Sequence, residues 1–222
     1  YRRKARLGVK HVPKKERVLV GFREKGTPYL ALLDKCEVLD PRIGTRLGEL
    51  GIMIATLAAY NRIAQIEVAM DDKHTALVFR NLDPLSESDQ KLLIAYGQKN
   101  DLWIYLQSGG PDTITAIWPT SPQLSYTPEP DVNLIFEPSD FTQVNDTINQ
   151  NMIQRAMALL EVCAEDRVLD LFCGLGNFSL PLAKRVNALV GVEGDAALVK
   201  HAQNNAKLNQ LDNATFEQAD LT

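Results

Sequence analysis

The chain has 222 residues, 45% of them apolar, enough for one large domain or two modest ones with real cores. No run approaches the roughly 18 apolar residues of a membrane span, the first residues do not read as a signal peptide, and Cys36, Cys163 and Cys173 fit no disulfide framework; a reducing, cytoplasmic setting is the expectation. The net charge of -4 conceals an asymmetry: residues 1–25 hold ten Lys/Arg against two acids, so 14 basic and 26 acidic residues remain for the rest.

A basic end on an acidic protein suggests a contact with a polyanion, against the alternative of a solvated strand face. The first residue is Tyr rather than Met, and the chain reads as an internal piece of something longer.

Residues 1–140 read as a mixed α+β domain. From Lys4 the sequence alternates, with Ala5, Leu7 and Val9 against Arg6, Gly8 and Lys10, which predicts a half-buried strand. RVLVGF and YLALL are further strand candidates, with REKGTP as the turn between them. Residues 42–61 read as one helix despite three glycines. IAQIEVAM and HTALVFRNL flank Asp71-Asp72-Lys73 as a hairpin, and Ser86 caps a helix running through SESDQKLLIAYGQKN. LWIYLQS, TITAIWP and VNLIFEP are short strands between Gly, Pro and Ser. This rhythm predicts an antiparallel sheet with helices to one side. Trp103 and Trp118 read as core or sheet-face residues.

From about residue 141 the rhythm changes to α-β-α-β-α-β, the first half of a doubly wound, Rossmann-like sheet. Asn145 or Asp146 caps a helix with Ile148, Met152, Ala156 and Leu159 on one face. RVLDLF is apolar at nearly every residue, as a strand buried on both faces is. A glycine turn and a helix follow, then the strand ALVGVE, the helix AALVKHAQNNAKLN and the strand ATFEQADL.

The chemistry sits at that turn. A strand ending in Asp170, then Gly174-x-Gly176, then a helix, is a nucleotide-type site. The third glycine of a dinucleotide fingerprint is replaced by Ser179, and no Gly-Lys-Ser/Thr of a phosphate loop follows. An acid before the turn suits a cation rather than a phosphate. Glu193 ends the second strand and can accept two ribose hydroxyls; Asp220, near the end of the third, can accept from the amine of an adenine. An adenosyl ligand with a positive centre and no phosphate is S-adenosylmethionine. Each acid could instead be a helix cap or a loop acid. His11, His74 and His201 lie on different elements without metal-ligand spacing, and Cys163 reads as a packed thiol.

DFTQVN before a helix, then RVLDLFCGLGNFSLPLA and LVGVEG, resemble the RNA uracil-C5 methyltransferases. YRRKARLGVK, GFREKG and DKCEVLDP resemble the bacterial branch acting on 23S ribosomal RNA, enzymes with an iron–sulfur cluster and an appended TRAM domain. The resemblance runs over essentially the whole chain. It implies a central RNA-binding domain over 1–140 and the first half of the S-adenosylmethionine-binding domain over 141–222. Gln143, Phe172, Asn177, Glu193 and Asp220 stand where the family binds S-adenosylmethionine, with Asp170, Gly174 and Gly176 in the turn itself. The family often has Asn at the Asp220 position. Phe141 lies in the segment facing the target base, as a stacking surface or a core aromatic.

Cys36 matches the last of four ligands of the family's [4Fe–4S] cluster, the others preceding this chain; one thiolate holds no cluster. The implied partner is 23S rRNA, with transfer RNA as the alternative substrate, and neither DNA nor a membrane. Arg2, Arg3, Lys4 and Arg6 read as its phosphate contacts. The implied mechanism adds a cysteine thiolate to C6 of uracil, so that C5 takes the methyl group and a base then removes the C5 proton. That nucleophile and base lie beyond Thr222 in the family, so the chain alone is expected to lack catalysis and to amount to an RNA-binding module. A half-sheet ending in an open strand is expected to dimerise through that edge, to be poorly ordered there, or to bind its ligand weakly.

Overall fold

The computed structural model describes residues 1–221, which divide into two compact units, residues 1–122 and the residues from 123 onward. In the first, β1 (Lys4–Val12), β2 (Arg17–Gly21), β3 (Ile63–Met70), β4 (Thr75–Asn81), β5 (Trp103–Gln107) and β6 (Ile114–Trp118) form one sheet in the order β2-β1-β3-β4-β5-β6. β1 buries Ala5, Leu7 and Val9, as its alternation requires. β3 and β4 pair as the expected hairpin, closed by Asp71, whose Oδ1 accepts from the backbone N–H of Lys73 at 2.8 Å.

The sheet is mixed rather than antiparallel. β5 runs parallel to β4 because α3 (Glu87–Asn100) carries the chain back between them, as a parallel connection demands. Ser86 caps α3 by accepting from the backbone N–H of Asp89.

Residues 42–61 are not one helix. α1 (Pro41–Gly44) stops where the Cys36 carbonyl lies against Gly44, and α2 (Leu47–Ala55) follows. Beyond α2 the buried Asp89 carboxylate accepts from the backbone N–H groups of Ala58 (2.8 Å) and Ala59 (3.2 Å), holding the chain in turns. YLALL is not a strand either: it meets the end of β2 through the single Arg23–Leu30 bridge and then leaves the edge. α2 and α3 pack on one shared core with Phe79, Ile66, Leu77 and Leu7 fully buried. Trp118 packs against that core, and Trp103 stacks on His74 with centroids 4.2 Å apart.

The second unit begins earlier than residue 141. A strand the sequence reading missed, β7 (Leu124–Glu129), pairs antiparallel with β8 (Val132–Phe136). This hairpin is tied to later elements. α6 (Ala196–Leu208) carries Asn205, and Asn209 follows it; their side-chain amides bond the backbone of Ile135 and Asn133. Arg185 grips the buried Glu129 carboxylate with two bonds of 2.8 and 2.9 Å. Those partners lie some 50 to 80 residues downstream, so the hairpin folds with the second unit.

α4 (Asp146–Leu160) is capped by Asn145. Its buried side is Asn149 and Ile153, packed towards β7; Ile148, Met152 and Leu159, expected to face the core, are exposed. β9 (Arg167–Leu171), β10 (Ala188–Glu193) and β11 (Ala214–Gln218) form a parallel sheet in the order β11-β10-β9, with α5 (Ser179–Ala183) and α6 packed on it. Among the described residues, α5 and α6 cover one face and the other is more open. Leu189, Gly191 and Phe216 are buried, whereas Leu169, Leu171, Thr215 and Glu217 on the opposite parity are exposed. β9 is therefore not buried on both faces among the described residues, and it forms one edge of the sheet.

Candidate functional site

The carboxyl ends of the three parallel strands converge. Glu193 lies opposite Gln218 in register, and the backbone N–H of Ala219 donates to the Glu193 carbonyl at 3.1 Å. The chain leaves β9 through Phe172, which takes φ +60°, a conformation that costs a side chain with a Cβ roughly 1–2 kcal/mol. The residue is 63% exposed. Gly174 follows at φ +55° with nothing within 4 Å of where a Cβ would stand, so the turn presents bare backbone to open space. Gly176, at φ +92°, closes the turn by donating its N–H to the Cys173 carbonyl (3.0 Å), and its own carbonyl accepts from Leu180 at 2.9 Å to start α5.

Glu193 organises the rim. Its Oε2 accepts from the N–H of Gly174 at 3.0 Å; its Oε1 accepts from the N–H groups of Gly194 (2.8 Å) and Asp195 (3.2 Å). Oε2 keeps one lone pair for a further donor. Asp170 is held by the fully buried Ser179, whose hydroxyl donates to its Oδ2. Burial pushes the Asp170 carboxyl up from its ordinary range, and the Ser179 hydrogen bond opposes this.

Cys173 is buried behind the turn, its Sγ close to the space where Gly191 lacks a side chain. Burial, with the Asp170 and Glu193 carboxylates beside it, pushes its thiol up to about 12. A thiol in that state is not an activated nucleophile.

Asn177 does something other than face a ligand with its whole amide. Its Oδ1 accepts from the Tyr126 hydroxyl (3.0 Å) and from Asn149 Nδ2 (2.9 Å), and its Nδ2 donates to Asn149 Oδ1 (2.8 Å). This network locks the turn to α4 and β7. Burial, with Asp146 and Asp140 nearby, keeps the Tyr126 phenol protonated. Tyr126 and Asn149 were not singled out from the sequence; an Asn on the buried side of an amphipathic helix was the available signal.

The remaining site residues are more dispersed. Phe141 is 70% exposed, so it is not a core aromatic. Asp140 anchors the loop before it, accepting from the N–H of Glu137 (2.7 Å) and bonding His201 Nδ1 (2.9 Å). Gln143 is half-buried in the same loop, and Asp220 is exposed just past β11. No hydrogen bond between described residues ties Gln143 to the turn.

In the first unit, Arg3 pairs with Asp72 at 2.7 Å, Arg6 pairs with Glu67 at 2.8 Å, and the Arg2 guanidinium donates to the Lys4 carbonyl. Cys36 is half-buried against the core, and among the described residues no group of three or more Cys, His, Asp or Glu could hold a metal ion. The residues present do not by themselves make a cluster site.

Residues 131–219 match the family model described as tRNA (Uracil-5-)-methyltransferase. Over its whole length the chain is 54% identical to the 23S rRNA (uracil(1939)-C(5))-methyltransferase RlmD of Nitrosococcus oceani, covering 49% of that protein. Over its whole length the chain is thus similar to RNA uracil-C5 methyltransferases. It is 53% identical to the protein of the same name from Alkalilimnicola ehrlichii and 46% identical to that from Francisella tularensis subsp. novicida, covering 50% of each. The chain thus spans about half the length of the curated methyltransferases it matches.

The crystal structure of the tRNA (uracil-54, C5)-methyltransferase of Pyrococcus abyssi in complex with S-adenosyl-L-homocysteine superposes with a TM-score of 0.71. That match covers 99% of this chain and 55% of the other at 19% identity, and it shows a shared fold. Among the described residues no helix is long and apolar enough to cross a membrane.

Proposed function

We propose that the protein is an S-adenosylmethionine-dependent methyltransferase acting on C5 of a uridine in 23S rRNA, and that this chain carries its cofactor cradle. The observation that supports this most is the glycine turn. Open backbone at Gly174, an exposed Phe172 ring and the Glu193 carboxylate share one end of a parallel sheet, where ligands of such sheets bind.

In this reading Glu193 Oε2 accepts from a ribose hydroxyl, Phe172 packs on the adenine, Asp220 accepts from its amine, and the acid side of the turn at Asp170 suits a sulfonium centre. Gln143 and the free Nδ2 hydrogen of Asn177 supply further donors. When bound, S-adenosylmethionine supplies the electrophilic methyl group. The residues of this chain bind and orient it; buried Cys173, its thiol held protonated, stays a packing residue.

Phe141 is the surface on which the extruded target base stacks, and the basic first unit meets the RNA backbone inside the cell. Cys36 is one thiolate of an iron–sulfur site whose other ligands lie outside this sequence. The whole-chain identity to 23S rRNA enzymes favours ribosomal RNA, while the description of the family model that matches 131–219 favours transfer RNA. Mass analysis of both RNAs from a strain lacking the gene decides. Loss of one 5-methyluridine from 23S rRNA is expected; unchanged 23S rRNA with loss from tRNA moves the substrate, and no change in either rejects the activity.

A further inference from the structure

Two sets of cations stand out in the first 25 residues. Those at the start of β1 are engaged within the protein, Arg3 with Asp72 and Arg6 with Glu67, as is Arg17 with Asp34. Those at the far end of β1, Lys10, Lys14 and Lys15, are exposed and have no acidic partner among the described residues. Lys10 and Lys15 line a cleft of about 360 Å³ at the closed end of the β1–β2 hairpin.

Tyr29, a residue 63% exposed, forms one wall, with Lys10 Nζ 6.0 Å from its ring centroid. The platform is fixed in place. The Glu24 N–H donates to the Tyr29 carbonyl at 2.9 Å, the Ala31 N–H to the Phe22 carbonyl at 2.9 Å, and Gly26 at φ +74° makes the turn between them. His11, on the cleft wall, is braced edge-on by Tyr60 with centroids 4.9 Å apart. One acid, Glu24, also lines the space.

We propose that this cleft is a single-stranded RNA subsite, in which Tyr29 stacks a base and Lys10 and Lys15 neutralise the flanking phosphates. The proposal rests on the RNA reading above but moves the contact away from Arg2, Arg3, Lys4 and Arg6. A cation already paired with a carboxylate gains less from a phosphate, because one partner is exchanged for another. An unpaired lysine releases counterions from the RNA at no such cost. An exposed ring on a backbone-anchored turn beside ammonium groups is what sequence-tolerant binding of unstacked bases requires. An acidic peptide would satisfy the lysines and leave the ring without a planar partner.

The test uses the full chain and a fluorescein-labelled twelve-nucleotide oligouridine, read by anisotropy across a salt series. K10A/K15A is expected to weaken binding about twentyfold and to lower the log–log salt slope by about 1.4, two contacts at roughly 0.7 each. Tyr29→Ala is expected to cost about tenfold, with Tyr29→Phe within about twofold of the parent. Arg3→Gln with Arg6→Gln is expected to cost less than about threefold, and Glu24→Gln to strengthen binding slightly. A larger loss from the Arg3/Arg6 pair than from K10A/K15A overturns the proposal. So does an unaffected Tyr29→Ala, a polyglutamate peptide that binds as tightly as the oligouridine, or a parent chain that does not bind it. Titration of the same proteins with S-adenosylhomocysteine keeps the two readings apart: cleft variants should bind it as the parent does, and a parent that fails there contradicts the cofactor cradle, not the cleft.

Discussion

The two sheets are covered differently, and the difference assigns each a task. The mixed sheet of residues 1–122 closes on its own helices, with Phe79, Ile66, Leu50 and Leu93 wholly out of water in one cluster. The parallel sheet of β9 to β11 has α5 and α6 on one face only, and Leu169 is 61% exposed on the other. Its order comes instead from polar clamps: Asn177 to Asn149 and Tyr126, Glu193 to the Gly174 amide, Arg185 to Glu129. One unit is closed around an apolar core. The other holds a set of strand ends in register so that their backbone and carboxylates face a ligand.

Substitutions can break this contrast. The largest effect is expected in the closed core: Phe79→Ala should cost about 3–5 kcal/mol by urea unfolding, since deleting a fully buried ring loses its burial and leaves a cavity the neighbours only partly fill. Next comes the polar clamp. Asn177→Ala removes three hydrogen bonds and strands buried Asn149, at roughly 1–3 kcal/mol. Hydrogen exchange should show that loss at α4 and the turn, with β1 to β5 unchanged; a uniform loss over both units would contradict the division.

A subtler effect is expected in alkali. Cys173 is raised in the folded state from 9.0 to about 12, so the fold favours the thiol. That contribution is complete below pH 9 and is lost as pH rises towards 12, because the unfolded chain releases the proton first. Cys173→Ala should therefore flatten the fall in stability over that window, and iodoacetamide at pH 8 should label exposed Cys163 well before Cys173. The smallest change is expected on the bare sheet face: Leu169→Lys should shift stability by less than about 0.5 kcal/mol. If the β9 edge pairs with a second copy, the same variant should lower self-association in sedimentation velocity.

Much of this was legible in local pattern. The alternation of β1, the hairpin around Asp71, the Ser86 and Asn145 caps and the strand–glycine–helix turn are written within a few residues of each other. What escaped depends on distant partners. The helix over 42–61 ends early because Asp89, from α3, captures the amides of Ala58 and Ala59. The β7–β8 hairpin joins the second unit through Asn205, Asn209 and Arg185, all downstream. The apolar face of α4 misled because a buried amide pair, not an apolar stripe, docks that helix. Arg3 and Arg6 read from the sequence as phosphate contacts, and their pairing with the distant Asp72 and Glu67 was not legible there.

The central claim is that the Phe172–Asn177 turn and Glu193 cradle an adenosyl cofactor. Titrating isotopically labelled chain with S-adenosylhomocysteine and mapping amide chemical shifts tests it most directly. The account predicts saturable shifts at Phe172, Cys173, Gly174, Gly194 and Asp195, and their loss in Gly174→Val, where a β-branched side chain meets a positive φ and fills the open space. Shifts confined to the separate cleft between β8 and His201, or saturable binding that Gly174→Val leaves intact, would contradict it.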